Sequence, residues 1–152
     1  MEYKKRLIKL MEWQSKKLEK YSKIPYFTEK DKKAIEKWDE TTCKIIWNLF
    51  VSFIKLHKHE GLDWKTNPFC LYNLLNVIDC KDCPYGENHG ICNDENSDYM
   101  KLLDELHIKH LIATNNIFTN KCYHAFIRHA EGKNIGRKKK NKQRRCNHEK
   151  QR

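Results

Sequence analysis

"TEKDKKAIEKWDETTCKIIWNLFVSFIKL", Thr28 to Leu56, is the stretch that sets the fold class. Its apolar residues Ala34, Ile35, Trp38, Ile45, Leu49, Phe53 and Leu56 recur at helical spacing, with charges between them. The opening "TEKD" has the form of an N-cap followed three residues later by an acid. The run predicts one helix of roughly 30 residues, about 45 Å long at 1.5 Å per residue, closed by Gly61. Thr41 and Thr42, both β-branched, mark where such a helix would kink or break.

The same period extends on both sides. From Glu2 to about Lys23, Leu7, Leu10, Met11, Leu18 and Tyr21 share a face, and Pro25 ends the segment. "TNPFCLYNLLNVID" predicts a short helix capped by Asn67 or Thr66, with Pro68 in its first turn. "NSDYMKLLDELHIKHLIATN" predicts another, starting at Asn96 or Ser97 and turning at Asn115 and Asn116. Ile117, Phe118, Cys122, Tyr123, Phe126 and Ile127 belong to a last helix that stops at Gly132. No strand-like alternation and no internal repeat competes with this pattern. The expectation is all-α: a small bundle of about five helices over residues 1–131.

Residues 132–152 are different in kind. Ten Lys/Arg stand there against Glu149 alone, so this stretch carries +9 of the chain's +11. It reads as a flexible basic tail on a body close to neutral. Arg137, Lys138, Lys139, Lys140, Lys142, Arg144 and Arg145 are its candidate nucleic-acid contacts. Cations this dense neutralise several phosphates and bind DNA or RNA without reading sequence. The same cluster also suits a solubility tail or, in a eukaryotic setting, a nuclear-localisation segment.

No apolar run approaches the roughly 18–20 residues that span a bilayer, and the charged N-terminus lacks the apolar core of a signal peptide. A reducing, cytoplasmic setting is therefore expected, with no membrane partner. There, crowded cysteines serve metal or redox chemistry more often than disulfides, and seven is an odd number for a disulfide framework.

Four of those cysteines form the pattern C-x9-C-x2-C-x8-C: Cys70, Cys80, Cys83 and Cys92. A C-x2-C pair lets two thiolates meet one ion across a tight turn, and two further thiolates complete a tetrahedron. Pro84, Gly86 and Gly90 help the chain double back. Structural zinc is the leading reading. An iron–sulfur cluster is the second, since a four-cysteine set suits both, and unliganded thiols are the third. His89 could replace one thiolate, but as a lone loop histidine it reads as solvent-exposed or supporting. Four thiolates leave no open position for catalytic water. "FCLY", "CKDCP", "GIC" and "SDY" together resemble small uncharacterised phage-encoded proteins with C-x-x-C, C-x-x-C-P, a further cysteine and a Ser-x-Tyr helix start. The likeness covers about Asn67 to Leu103 and departs at Tyr72, where that family often has another cysteine. It implies a metal-stapled helical protein of mobile-element origin and carries no activity.

The remaining candidates have plainer readings. Tyr3, Trp13 and Tyr21 lie among the first helix's lysines, and read as core contacts beneath snorkelling side chains rather than base-stacking groups. Asp104, His107 and His110 share spacings of three, but one "DELH" falls short of the two carboxylate-x-x-His motifs of a di-iron bundle. Cys122 and His129 are two turns apart, and Cys122 sits on the apolar stripe. The leading expectation is a non-enzymatic nucleic-acid-binding or nucleoprotein-associated protein. The alternative is a protein-binding adaptor or inhibitor of a viral or host nucleoprotein machine, with its tail on an acidic partner surface. A nuclease is third.

Overall fold

The computed structural model describes residues 2–58 and 61–132, with backbone alone for 108–116. Among the described residues there are seven α-helices and no strand. They are α1 (Glu2–Leu18), α2 (Glu29–Glu36), α3 (Glu40–Leu56), α4 (Pro68–Asn76), α5 (Pro84–His89), α6 (Asp98–Ile117) and α7 (Asn120–Ala130). Single 3-10 turns occupy Trp64–Thr66 and Cys80–Asp82. The all-α expectation holds. None of these helices is long and apolar enough to cross a membrane.

The single long helix does not hold. The chain leaves the helix at Lys37 and re-enters it after Asp39, whose carboxylate accepts the Thr42 N–H at 3.2 Å. Asp39 is a strong N-cap residue, and its side chain competes for the backbone donors that continuous helix would use. The break lies just before Thr41 and Thr42, and it resets the helical phase. Cys43, Ile46, Trp47, Phe50 and Ile54 face the core, while Ile45 and Leu56 point outward. Extending one period through Trp38 therefore misplaces the buried face of α3. Two other boundaries also move. α1 ends at Leu18 rather than near Lys23, and α6 runs through Asn115 and Asn116 to Ile117 before Thr119 caps α7.

α1 and α3 pack most extensively, with α4 and α7 closing over α3. Trp47, Phe50, Tyr123, Phe118 and Phe126 fill the space between them. Trp13 stacks on Phe126 at 4.9 Å, and Trp38 on Tyr72 at 4.3 Å. Tyr3, Trp13 and Tyr21 pack against the core, as their spacing suggested.

A polar network runs through this core. The Gln14 amide donates to the Thr66 carbonyl at 2.8 Å and to the Tyr123 hydroxyl at 3.2 Å. Its carbonyl accepts from the Tyr26 hydroxyl, which itself accepts from Asn67. Tyr85 reaches the Tyr26 carbonyl. Buried polar atoms cost little when each finds a partner, and removing one member strands the others. Gln14→Leu is expected to destabilise the fold by about 1–3 kcal/mol in urea unfolding, a loss that a well-packed aliphatic replacement would otherwise not show.

Candidate functional site

The cysteine segment is assembled from local capping. Asn67 accepts the Phe69 N–H at 2.8 Å and starts α4, with Pro68 at its first position. Cys70 thus falls in that helix's first turn. α4 stops at Val77, whose φ of 54° is left-handed, and the Ile78 N–H returns to the Asn73 carbonyl. Asp79 caps the turn that carries Cys80. Pro84 then opens α5, a short helix that the sequence pattern did not disclose. Gly90 ends it at φ 84°, so close to α6 that a Cβ there would meet Ser97 Cα at 3.2 Å. Only glycine suits both demands. Ser97 then accepts the Met100 N–H at 3.1 Å and begins α6, as expected.

His89 corrects the sequence reading. It is buried, not exposed, and its partners are carboxylates rather than thiols. Nε2 lies 2.6 Å from Asp31 Oδ2 and Nδ1 lies 2.9 Å from Asp98 Oδ2. The ring stacks on Tyr85 at 4.1 Å. Asp31 also accepts from the Thr28 N–H and hydroxyl and from the Asn88 amide. One carboxylate thus closes the capping box of α2 and anchors α5. Burial by itself would lower the pKa of His89, but the hydrogen bond and charge of Asp31, followed by those of Asp98, outweigh it and raise the value. Burial would raise that of Asp31, and the hydrogen bonds from His89, Thr28 and Asn88 bring it below the ordinary carboxylate range. The sequence offered one hint: Asp31 is the acid of the "TEKD" cap. Nothing local paired it with a histidine 58 residues away.

The four cysteines of the motif occupy the adjoining face. Cys83 is buried, Cys70 and Cys92 are half-buried and Cys80 is exposed. Burial pushes the Cys70 thiol up to about 12, aided by Cys92, Cys83 and Cys80. Burial pushes Cys92 to about 11, aided by Cys83 and Cys80. Cys70 in the first turn of α4 thus feels the charge of Cys80, Cys83 and Cys92, and Cys92 that of Cys80 and Cys83. As the side chains stand, no three His, Cys, Asp or Glu groups among the described residues are arranged to hold a metal ion.

The other candidates do not join this site. Asp104 and His107 lie exposed on α6, and the side chain of His110 is outside the described residues. Cys122 is 1% exposed within the core, whereas His129 faces solvent. Arg137, Lys138, Lys139, Lys140, Lys142, Arg144 and Arg145 lie outside the described residues. The seam of α1 and α2 forms a groove lined by Lys4, Lys5, Ile8, Lys9 and Lys32 together with Glu12 and Glu36. No protein-family model, no curated protein and no solved structure matches this chain.

The charged triad has a pH signature. The raised pKa of His89 means its contribution is complete below about 6.5, the ordinary histidine value, and is lost as the pH rises through the folded value. The lowered pKa of Asp31 makes its contribution complete above about 4 and lost as the pH falls through its folded value. His89→Leu, which leaves the Asp31 carboxylate buried without its cation, is expected to cost about 3–5 kcal/mol near pH 6. Urea unfolding across pH should show that difference narrowing in alkali.

Proposed function

We propose that this is a non-enzymatic nucleic-acid-binding or nucleoprotein-associated protein, with a structural four-cysteine metal site in its helical body and a phosphate-contacting basic C-terminal stretch. The observation that carries the reading is charge segregation. Residues 133–152 hold +9 and the rest of the chain +2, so electrostatic attraction to phosphate is concentrated in one stretch. The His89 set also suits a structural role. Its His89 and Asp31 side chains are fully enclosed, so a substrate has no route to them.

Cys70, Cys80, Cys83 and Cys92 are the residues that would hold the metal. Four soft sulfur donors fit zinc first and an iron–sulfur cluster second. A cation would replace the thiol protons and offset the repulsion that gathers around Cys70 and Cys92. Its contribution would be mechanical: it would tie the start of α4 to the entry of α6, alongside the His89 bridge. The adaptor reading is kept as the second one, because exposed aliphatic residues surround the cysteine segment.

Metal analysis of the purified chain is expected to give one zinc per chain, lost in Cys83→Ser. A brown protein absorbing near about 400 nm would assign the site to iron–sulfur instead. For the basic stretch, fluorescence anisotropy with labelled DNA and RNA should show binding that weakens by about 10³–10⁵ between 50 and 200 mM salt, as expected for roughly 6–10 phosphate contacts. Changing Arg137, Lys138, Lys139, Lys140, Lys142, Arg144 and Arg145 to Gln should remove most of that dependence. Binding that survives this change at the same salt would set the proposal aside.

A further inference from the structure

Val77 is a β-branched residue in the left-handed region, at φ 54°, with 92% of its surface exposed. Glycine or asparagine at this helix end would adopt the same backbone with less strain. The side chain gains almost nothing from the fold in return. An exposed, strained apolar residue of this kind points to a use outside the fold. Val77 does not stand alone. Leu74 and Leu75 on the last turn of α4 are 55% and 38% exposed, and Ile91 is 40% exposed. Ile91 returns beside the Cys80 turn, which begins three residues after Val77 in the chain: a Cβ placed on Gly86 would lie 3.7 Å from the Cys80 carbonyl and 3.8 Å from Ile91 Cα.

The rim of this aliphatic surface is acidic. Asp79, Asp82, Glu87, Asp94 and Glu95 are all exposed, against Lys81 as the sole Lys or Arg between Asp79 and Glu95. That concentration of negative charge sits in a chain whose net charge is +11. Phosphate backbones are repelled by such a rim, and cationic protein segments are attracted to it. The chain's own basic stretch matches the charge but not the surface. Residues 133–152 contain Ile135 as their single aliphatic side chain, against four aliphatic residues to be covered.

We infer that the end of α4 and the cysteine segment form a docking surface for another protein, through a segment with aliphatic anchors flanked by Lys and Arg. The aliphatic residues supply the desolvated centre, and the carboxylates form a polar rim that sets orientation and on-rate. This inference rests on α4 and the Asp79–Glu95 rim. It is independent of the metal and of the phosphate contacts proposed above.

The test uses the full chain carrying the sevenfold Gln change in its basic stretch, and a fluorescein-labelled Leu/Lys amphipathic peptide as probe. An oligolysine of equal charge and a Leu/Glu counterpart serve as comparisons. Anisotropy should show the Leu/Lys peptide binding most tightly. Val77→Gly should weaken it about tenfold, the loss expected for one buried aliphatic anchor, while leaving the melting temperature unchanged or higher because the left-handed strain is relieved. Combined Asp79→Asn, Asp82→Asn and Glu87→Gln should weaken it and flatten its salt dependence. Oligolysine binding as tightly would overturn the proposal, as would binding indifferent to Val77→Gly. So would a dimer of this chain that Leu74→Ser and Val77→Ser dissolve, which would give the surface to a second copy. Peptide binding tenfold weaker on the chain with its native basic stretch would give it to that stretch.

Discussion

His89 reaches Asp31 with one ring nitrogen and Asp98 with the other, and through that contact three separate elements become one body. Asp31 belongs to α2, His89 to the end of α5 and Asp98 to the first turn of α6. α5 is six residues long and could not hold its place by helix propensity. Its position comes from a charged, buried bridge, from Tyr85 packed beneath the imidazole, and from Asn88 on the other Asp31 oxygen. Asp98 lies in the first turn of its helix, where a carboxylate is favoured by the helix dipole as well as by the imidazole. The thiols ride on this arrangement. Cys83 immediately precedes α5 and Cys92 lies two residues beyond Gly90, so the bridge sets where both sulfurs point in from.

A second constraint works on the opposite side of Tyr26. Its hydroxyl belongs to the Gln14 and Asn67 network and its carbonyl receives Tyr85, so the link between α1 and α2 is tied to α4 and α5 together. The cysteine segment is therefore held from two directions, by charge at Asp31 and by hydrogen bonds at Tyr26. The metal proposed for the four thiols would add a third tie to this same segment.

The division between body and basic stretch gives the two proposals a common logic. The phosphate contacts proposed above would come from a stretch with many cations and one aliphatic residue. The end of α4 and the cysteine segment present exposed aliphatic residues together with exposed carboxylates, and carboxylates repel phosphate. Under the two proposals, a nucleic acid and a basic protein would be taken by different stretches of the sequence and would not compete for the same charge. That is the arrangement a nucleoprotein-associated chain would need.

Helical class and the caps at Thr28, Asn67 and Ser97 were legible because each depends on residues within a turn of one another. Local patterns are where sequence speaks directly, since caps and periods are short-range energetics. The break at Lys37–Asp39 was also a local signal, but an apolar period drawn through Trp38 concealed it, and with it the true buried face of α3. What the tertiary structure alone decided is the partner of each buried polar group. His89 meets an aspartate 58 residues away, and Gln14 meets a tyrosine 109 residues away. No period or spacing encodes those pairings. They arise because burial removes water as a partner, and each polar atom must then find whatever the packing of distant helices brings within reach.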